Sequence, residues 1–125
     1  MKNMRRAGFT LIELLVVMAI IATLAAIAAP RYFQSLDRAK ETALRADLKV
    51  MREAIGQFHE DTGRWPGDLE DLVKLRYLRE IPTDPITGDA QSWILIRSTS
   101  GPPGMMDVKS GAQGNARDGT RYDDW

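Results

Sequence analysis

Glu13 is a lone carboxylate inside an apolar run. From Phe9 to Ala29 every other residue is apolar or small, apart from Thr10 and Thr23. A charge within such a run costs roughly 2.5–3.5 kcal/mol on transfer into lipid. A segment that only holds a protein in a membrane has no reason to carry that cost. A buried carboxylate is tolerable when paired, and a cation about 4 Å away compensates far more strongly in lipid than in water. The rest of the inventory narrows the chemistry further. The chain has no cysteine and one histidine, His59. Thiolate metal sites and disulfides are therefore excluded, and a nucleophile–base triad would need unusual substitutes. With no second histidine nearby, His59 reads as exposed helix surface rather than a metal ligand.

The elements that position Glu13 follow from the hydropathy pattern. Phe9 to Ala29 is 21 residues, roughly 31 Å as a helix, which matches a bilayer core of about 30 Å. Lys2, Arg5 and Arg6 precede it and place the N-terminus in the cytoplasm by the positive-inside bias. Two readings fit this arrangement on its own: a secretory signal peptide and a single-pass anchor. Ala26-Ile27-Ala28 offers an A-x-A cleavage site, but Glu13 lies inside the apolar region and Pro30 would sit beside the scissile bond. The plain anchor has sound geometry and leaves Glu13 unexplained.

The helical pattern continues beyond the apolar run. Leu44, Leu48, Met51, Ile55 and Phe58 recur at spacings of 4 and 3 and form one apolar stripe. Lys40, Glu41, Arg45, Asp47, Lys49, Arg52 and Glu53 fall mostly on the other faces, where a solvated surface is expected. Gly63 and Pro66 supply the stop. Pro30 donates no hydrogen bond to Ala26, so a kink or local melting is expected there, and Ala22–Pro30 is the stretch expected to unwind most readily. Downstream, Asp68 is a cap for a short helix burying Leu69, Leu72 and Val73. Ser92–Arg97 and the weaker Met106–Lys109 read as strands joined by Gly101-Pro102-Pro103-Gly104, an antiparallel hairpin. Trp65 and Trp93 are expected in the core. Without Lys2, Arg5 and Arg6 the 17 basic residues fall to 14 against 17 acidic ones, a balance unsuited to nucleic acid as the main partner.

Arg6-Ala7-Gly8-Phe9-Thr10-Leu11-Ile12-Glu13 closely resembles the leader junction of type IV pilins and pseudopilins. The resemblance implies cleavage after Gly8 by a prepilin peptidase, methylation of the new amino terminus at Phe9, and pairing of Glu13 with the Phe9 amino group of a neighbouring subunit. That amine exists only after cleavage. Phe58-His59-Glu60-Asp61-Thr62-Gly63-Arg64-Trp65-Pro66 and Tyr77-Leu78-x-x-Ile81-Pro82-x-Asp84-Pro85-x-x-Gly88 resemble the G-type major pseudopilins of type II secretion. The fold so implied is α+β and type IV pilin-like, a long N-terminal α-helix with a transmembrane half and an amphipathic half, packed on a small C-terminal domain. The expected divisions are 1–8 (leader), 9–30 (transmembrane and assembly helix), 31–63 (amphipathic half) and 64–125 (head with C-terminal loop). The function implied is structural: a subunit held in the bacterial inner membrane with a periplasmic head, then stacked as a homopolymer. Its partners would be the peptidase, minor pseudopilins, an inner-membrane platform and membrane lipid. A type IV pilus or competence-type pilin is the nearest alternative, and a membrane-anchored periplasmic enzyme is the alternative from another class.

In that family the terminal loop often binds calcium. Here the implied ligands are Asp118, Asp123 and Asp124, with Ser110, Asn115 and Thr120 as supplementary oxygens. The family's Gly-x-Asp-Gly reads Gly111-Ala112-Gln113-Gly114 in this chain, which removes one carboxylate. A solvated acidic turn ordered by packing of Tyr122 and Trp125 is the other state open to the loop.

Overall fold

A computed structural model describes residues 8–125. Residues 1–7, which include Lys2, Arg5 and Arg6 and all of the leader but Gly8, lie outside the described residues. The architecture is α+β, with α1 (Leu11–Thr62), α2 (Leu69–Lys74), β1 (Ile94–Arg97), β2 (Met105–Lys109) and a final 3-10 turn at Tyr122–Asp124. The chain divides into two compact units, one ending at Leu36 and the other spanning Asp37–Trp125.

The first unit is helix with an exposed apolar surface. Leu11, Ile12, Leu15, Ile20, Ile21, Leu24 and Ile27 are each more than half exposed, and α1 is long and apolar enough to cross a membrane. Such a surface requires lipid or other protein around it. Helical structure continues through Pro30. Unwinding expected on assembly concerns a different state from this single chain.

The second unit has a core of its own. Leu44, Leu48, Met51, Ile55 and Phe58 are all buried, joined by Ala54, as the stripe requires. Burying each large side chain contributes about 1.5–3 kcal/mol. Gly63 ends α1 with a positive φ of 74° and donates to the carbonyl of His59 at 2.8 Å, a left-handed cap that glycine adopts without steric cost. Asp68 caps α2, accepting from the Asp71 amide at 3.0 Å, and Leu69 and Leu72 point into the core.

The strands pair antiparallel, with Leu95 opposite Val108 and an irregularity between Ile96 and Arg97. β1 is two residues shorter than the expected Ser92–Arg97, because Ser92 and Trp93 turn to other partners. The Trp93 indole donates to the Pro82 carbonyl at 2.8 Å, and the residue is buried. Gly104 lets the hairpin approach the α1–α2 connection: a Cβ there would lie 2.6 Å from Trp65 Cβ and 2.8 Å from the Trp65 carbonyl oxygen. That approach brings the Met105 amide to 2.7 Å from the Pro66 carbonyl. His59 departs from expectation. It is half-buried and stacks on Trp65 with ring centroids 3.7 Å apart and planes within 6°, because the chain reverses at Gly63 and returns Trp65 against the last turn of α1.

Candidate functional site: the start of the first helix and the C-terminal loop

Two places hold the residues singled out for chemistry. At the start of α1, the Leu14 amide donates to the Thr10 carbonyl at 3.1 Å, which makes Thr10 the residue preceding the helix. The Glu13 amide donates to Thr10 Oγ1 at 3.2 Å. In return Glu13 Oε2 accepts from the Thr10 amide at 3.4 Å. This is a reciprocal capping box, and the Thr10-Leu11-Ile12-Glu13 spacing that produces it is the sequence signal for one.

Magnitudes separate the two roles of Glu13. A capping interaction contributes about 1 kcal/mol in water, and a 3.4 Å hydrogen bond is a long one. The cost of the charge in lipid, roughly 2.5–3.5 kcal/mol, exceeds it. The cap orients the carboxylate and leaves its need for a cation unmet among the described residues. Gly8, Phe9 and Glu13 are all exposed, with nothing within 4 Å of a Cβ built on Gly8. The Gly8–Phe9 bond and the carboxylate are thus both open to another protein.

The C-terminal loop separates the residues implied as calcium ligands. Asp118 Oδ1 accepts from the amide and hydroxyl of Thr120 at 3.0 and 2.5 Å, and its Oδ2 faces Arg45 at 3.4 Å. These bonds, the Thr120 hydroxyl first and Arg45 after it, hold the Asp118 carboxyl below the usual range. Both oxygens of Asp123 are taken by Arg121, at 3.0 and 2.5 Å. Ser110 lies apart from this loop chemistry. It is buried and donates to buried Asp84 at 2.5 Å. No three acidic or histidine groups gather around one point among the described residues. The donor set as arranged therefore does not fit a calcium ion, which takes six to eight oxygens at 2.3–2.6 Å.

Tyr122 and Trp125 do order the segment. Their rings meet edge to face with centroids 5.4 Å apart. The Trp125 indole donates to Thr120 Oγ1 at 2.7 Å. Tyr122 donates through its hydroxyl to Glu41 at 3.1 Å, and burial followed by this bond pushes its phenol above the ordinary value. Glu41, Arg45 and Arg52, expected as solvated surface, are instead attachment points for the end of the chain. A helix face cannot be assigned to water until the segment covering it is known. The pattern of charges alone carried no such signal.

Comparisons with known proteins bear on both places. Residues 3–29 match the family described as the prokaryotic N-terminal methylation motif, which spans the leader junction, the capping box and the apolar run. The chain is 31% identical to type II secretion system core protein G of Pseudomonas aeruginosa, over 98% of this chain and 99% of that protein. It is 27% identical to type II secretion system core protein G of Klebsiella michiganensis, covering 90% and 87% of the two chains. Type IV major pilin protein PilA of Myxococcus xanthus is 41% identical over a shorter region, 50% of this chain and 29% of that protein. No solved structure was found to match. End-to-end similarity of this kind, joined to the methylation motif, the single apolar helix and the α+β head, places the chain in the pilin and pseudopilin superfamily, as a member of the type II secretion system core protein G family.

Proposed function

We propose that this protein is the major pseudopilin of a type II secretion system, a structural subunit without catalytic activity. The observation that carries this reading is the similarity to type II secretion system core protein G across nearly the whole of both chains. The type IV pilin PilA, at 41% identity, is matched over half of this chain and 29% of its own length, less of both chains than core protein G.

In this reading the subunit waits in the inner membrane with its N-terminus cytoplasmic and its head periplasmic. Prepilin peptidase cuts after Gly8, and Phe9 becomes a methylated amino terminus. Cleavage creates the cation that Glu13 lacks. Before it, the Phe9 nitrogen is an uncharged amide; after it, the amine of one subunit pairs with Glu13 of the next. The capping box supports this sequence of events by holding the carboxylate at the helix start, beside the terminus that has just formed. Subunits then leave the lipid as their apolar helices pack together, with Ala22–Pro30 loosening as they do so. The resulting filament moves folded cargo toward the outer membrane. Minor pseudopilins and the inner-membrane platform complete the machine.

Deletion of the gene tests the reading: protein secretion is lost while twitching and DNA uptake persist. Loss of twitching with normal secretion would instead assign the protein to a pilus. Glu13→Leu is expected to insert in the membrane and to be processed, yet to assemble no filaments. Normal filaments from this variant would remove Glu13 from the mechanism.

A further inference from the structure

The disagreement between the implied calcium ligands and their geometry leads to an account of what holds the C-terminal loop. We propose that the segment Gly114–Trp125 is fastened to α1 by three helix side chains, Glu41, Arg45 and Arg52, and that this fastening takes the place of a divalent cation. Positions 41, 45 and 52 are separated by one turn and then nearly two, so they lie along one face of the helix. Each grips a different part of the segment. Glu41 Oε1 accepts from the Arg117 amide at 2.8 Å and from the Tyr122 hydroxyl at 3.1 Å. The Arg45 guanidinium lies 3.8 Å from the centre of the Trp125 ring and faces Asp118. Arg52 donates to the Trp125 carbonyl at 2.7 Å and, on its other side, to Asp107 at 2.9 Å and the Val108 carbonyl at 3.0 Å. Arg52 therefore joins the loop to β2 as well as to α1.

The chemistry suits the task a cation would otherwise perform. The loop has little apolar area, so its carboxylates and carbonyls need cationic partners to hold one conformation. Guanidinium groups supply those partners in fixed planar geometry. Asp118 is opposed by Arg45, and Asp123 by Arg121 from the segment itself. A guanidinium beside Asp118 also repels any divalent ion that would use that carboxylate. The exposed Arg45–Asp118 pair is worth little alone. What fastens the loop is the set of contacts together: two acceptor bonds at Glu41, the cation over Trp125, and the Arg52 fork.

The test is limited trypsin digestion of the full chain in detergent micelles, with cut sites identified by mass spectrometry. Arg117 and Arg121 lie in the loop and report its order directly. The parent is expected to resist cutting at both sites equally in millimolar calcium and in chelator. Glu41 and Arg45 contact the loop through their side chains without joining it to β2, so Glu41→Ala/Arg45→Ala is the variant of choice. It is expected to be cut at Arg117 and Arg121 at least tenfold faster, with or without calcium, while its far-ultraviolet dichroism matches the parent. If the double variant unfolds, Arg45→Ala with its exposed side chain replaces it, with a threefold acceleration expected. Chelator-induced cutting of the parent overturns the proposal. So does a variant loop that stays protected, or one whose protection calcium restores.

Discussion

The buried carboxylate of Asp84 accepts a 2.5 Å hydrogen bond from the equally buried hydroxyl of Ser110, 26 residues further along the chain. Its other oxygen accepts from the amides of Ile86 and Thr87 at 2.8 and 3.2 Å. One side chain thus shapes the Asp84–Gly88 turn and ties it to the strand end at Ser110. Asp84→Ala leaves those three donors without that acceptor, the Ser110 hydroxyl buried and the two amides partly so, and a buried unmet donor costs about 1–3 kcal/mol. The expected loss is about 3 kcal/mol in urea denaturation of the micelle-bound chain. Ser110→Ala should lose about 1 kcal/mol.

Asp47 has the opposite character. Burial, and then the nearby Asp84 charge, hold its carboxyl above the ordinary value of 3.8. A carboxyl whose pKa is raised by folding favours the folded state when protonated, and it opposes folding as pH rises from 3.8 through the raised value. Asp47→Asn is therefore expected to raise stability at pH 7, by no more than about 1 kcal/mol given solvent screening. At pH 3 the group is protonated in both states and the two proteins should melt together. Thermal midpoints at the two pH values check both the sign and the window.

Gly104 has a φ of 146° and no room for a Cβ against Trp65 and Pro66. Gly104→Ala combines backbone strain with a clash against main-chain atoms that cannot step aside. A loss of about 3 kcal/mol is expected. Gly101→Ala, where nothing lies within 4 Å but φ is also positive, should lose about 1 kcal/mol. The difference between the two, read by urea denaturation, separates crowding from strain.

Leu48 is 2% exposed in the centre of the α1 stripe. Leu48→Ala should destabilise the head by about 2–5 kcal/mol. The proposed cleavage after Gly8 should be unchanged in this variant, because Gly8 lies in the other compact unit. Processing by purified prepilin peptidase, run beside denaturation of the head, measures both.

The sequence carried the helical elements and most of the core, because a 3.6-residue period in Leu44, Leu48, Met51, Ile55 and Phe58 has one sensible burial. Asp68 and Gly63 marked helix ends through their local chemistry, which needs no tertiary knowledge. The capping box at Thr10 and Glu13 is equally local, a Thr-x-x-Glu spacing that needs no tertiary knowledge. What stayed hidden was long-range. Nothing in the spacing of Asp84 and Ser110 announces their bond, and nothing in the charges of Glu41, Arg45 and Arg52 distinguishes solvent from a returning chain end. The setting of His59 stayed hidden for the same reason: its stacking partner arrives only after the chain turns at Gly63.

Every buried core residue of the head, from Leu44 to Val108, belongs to the unit Asp37–Trp125. Among the described residues the first unit contributes none. The head can therefore keep one internal structure while the apolar helix exchanges lipid neighbours for protein ones. Moving a subunit between those surroundings requires no refolding of its larger part, so the exchange of lipid for protein falls on the surface of some two dozen residues at its N-terminal end.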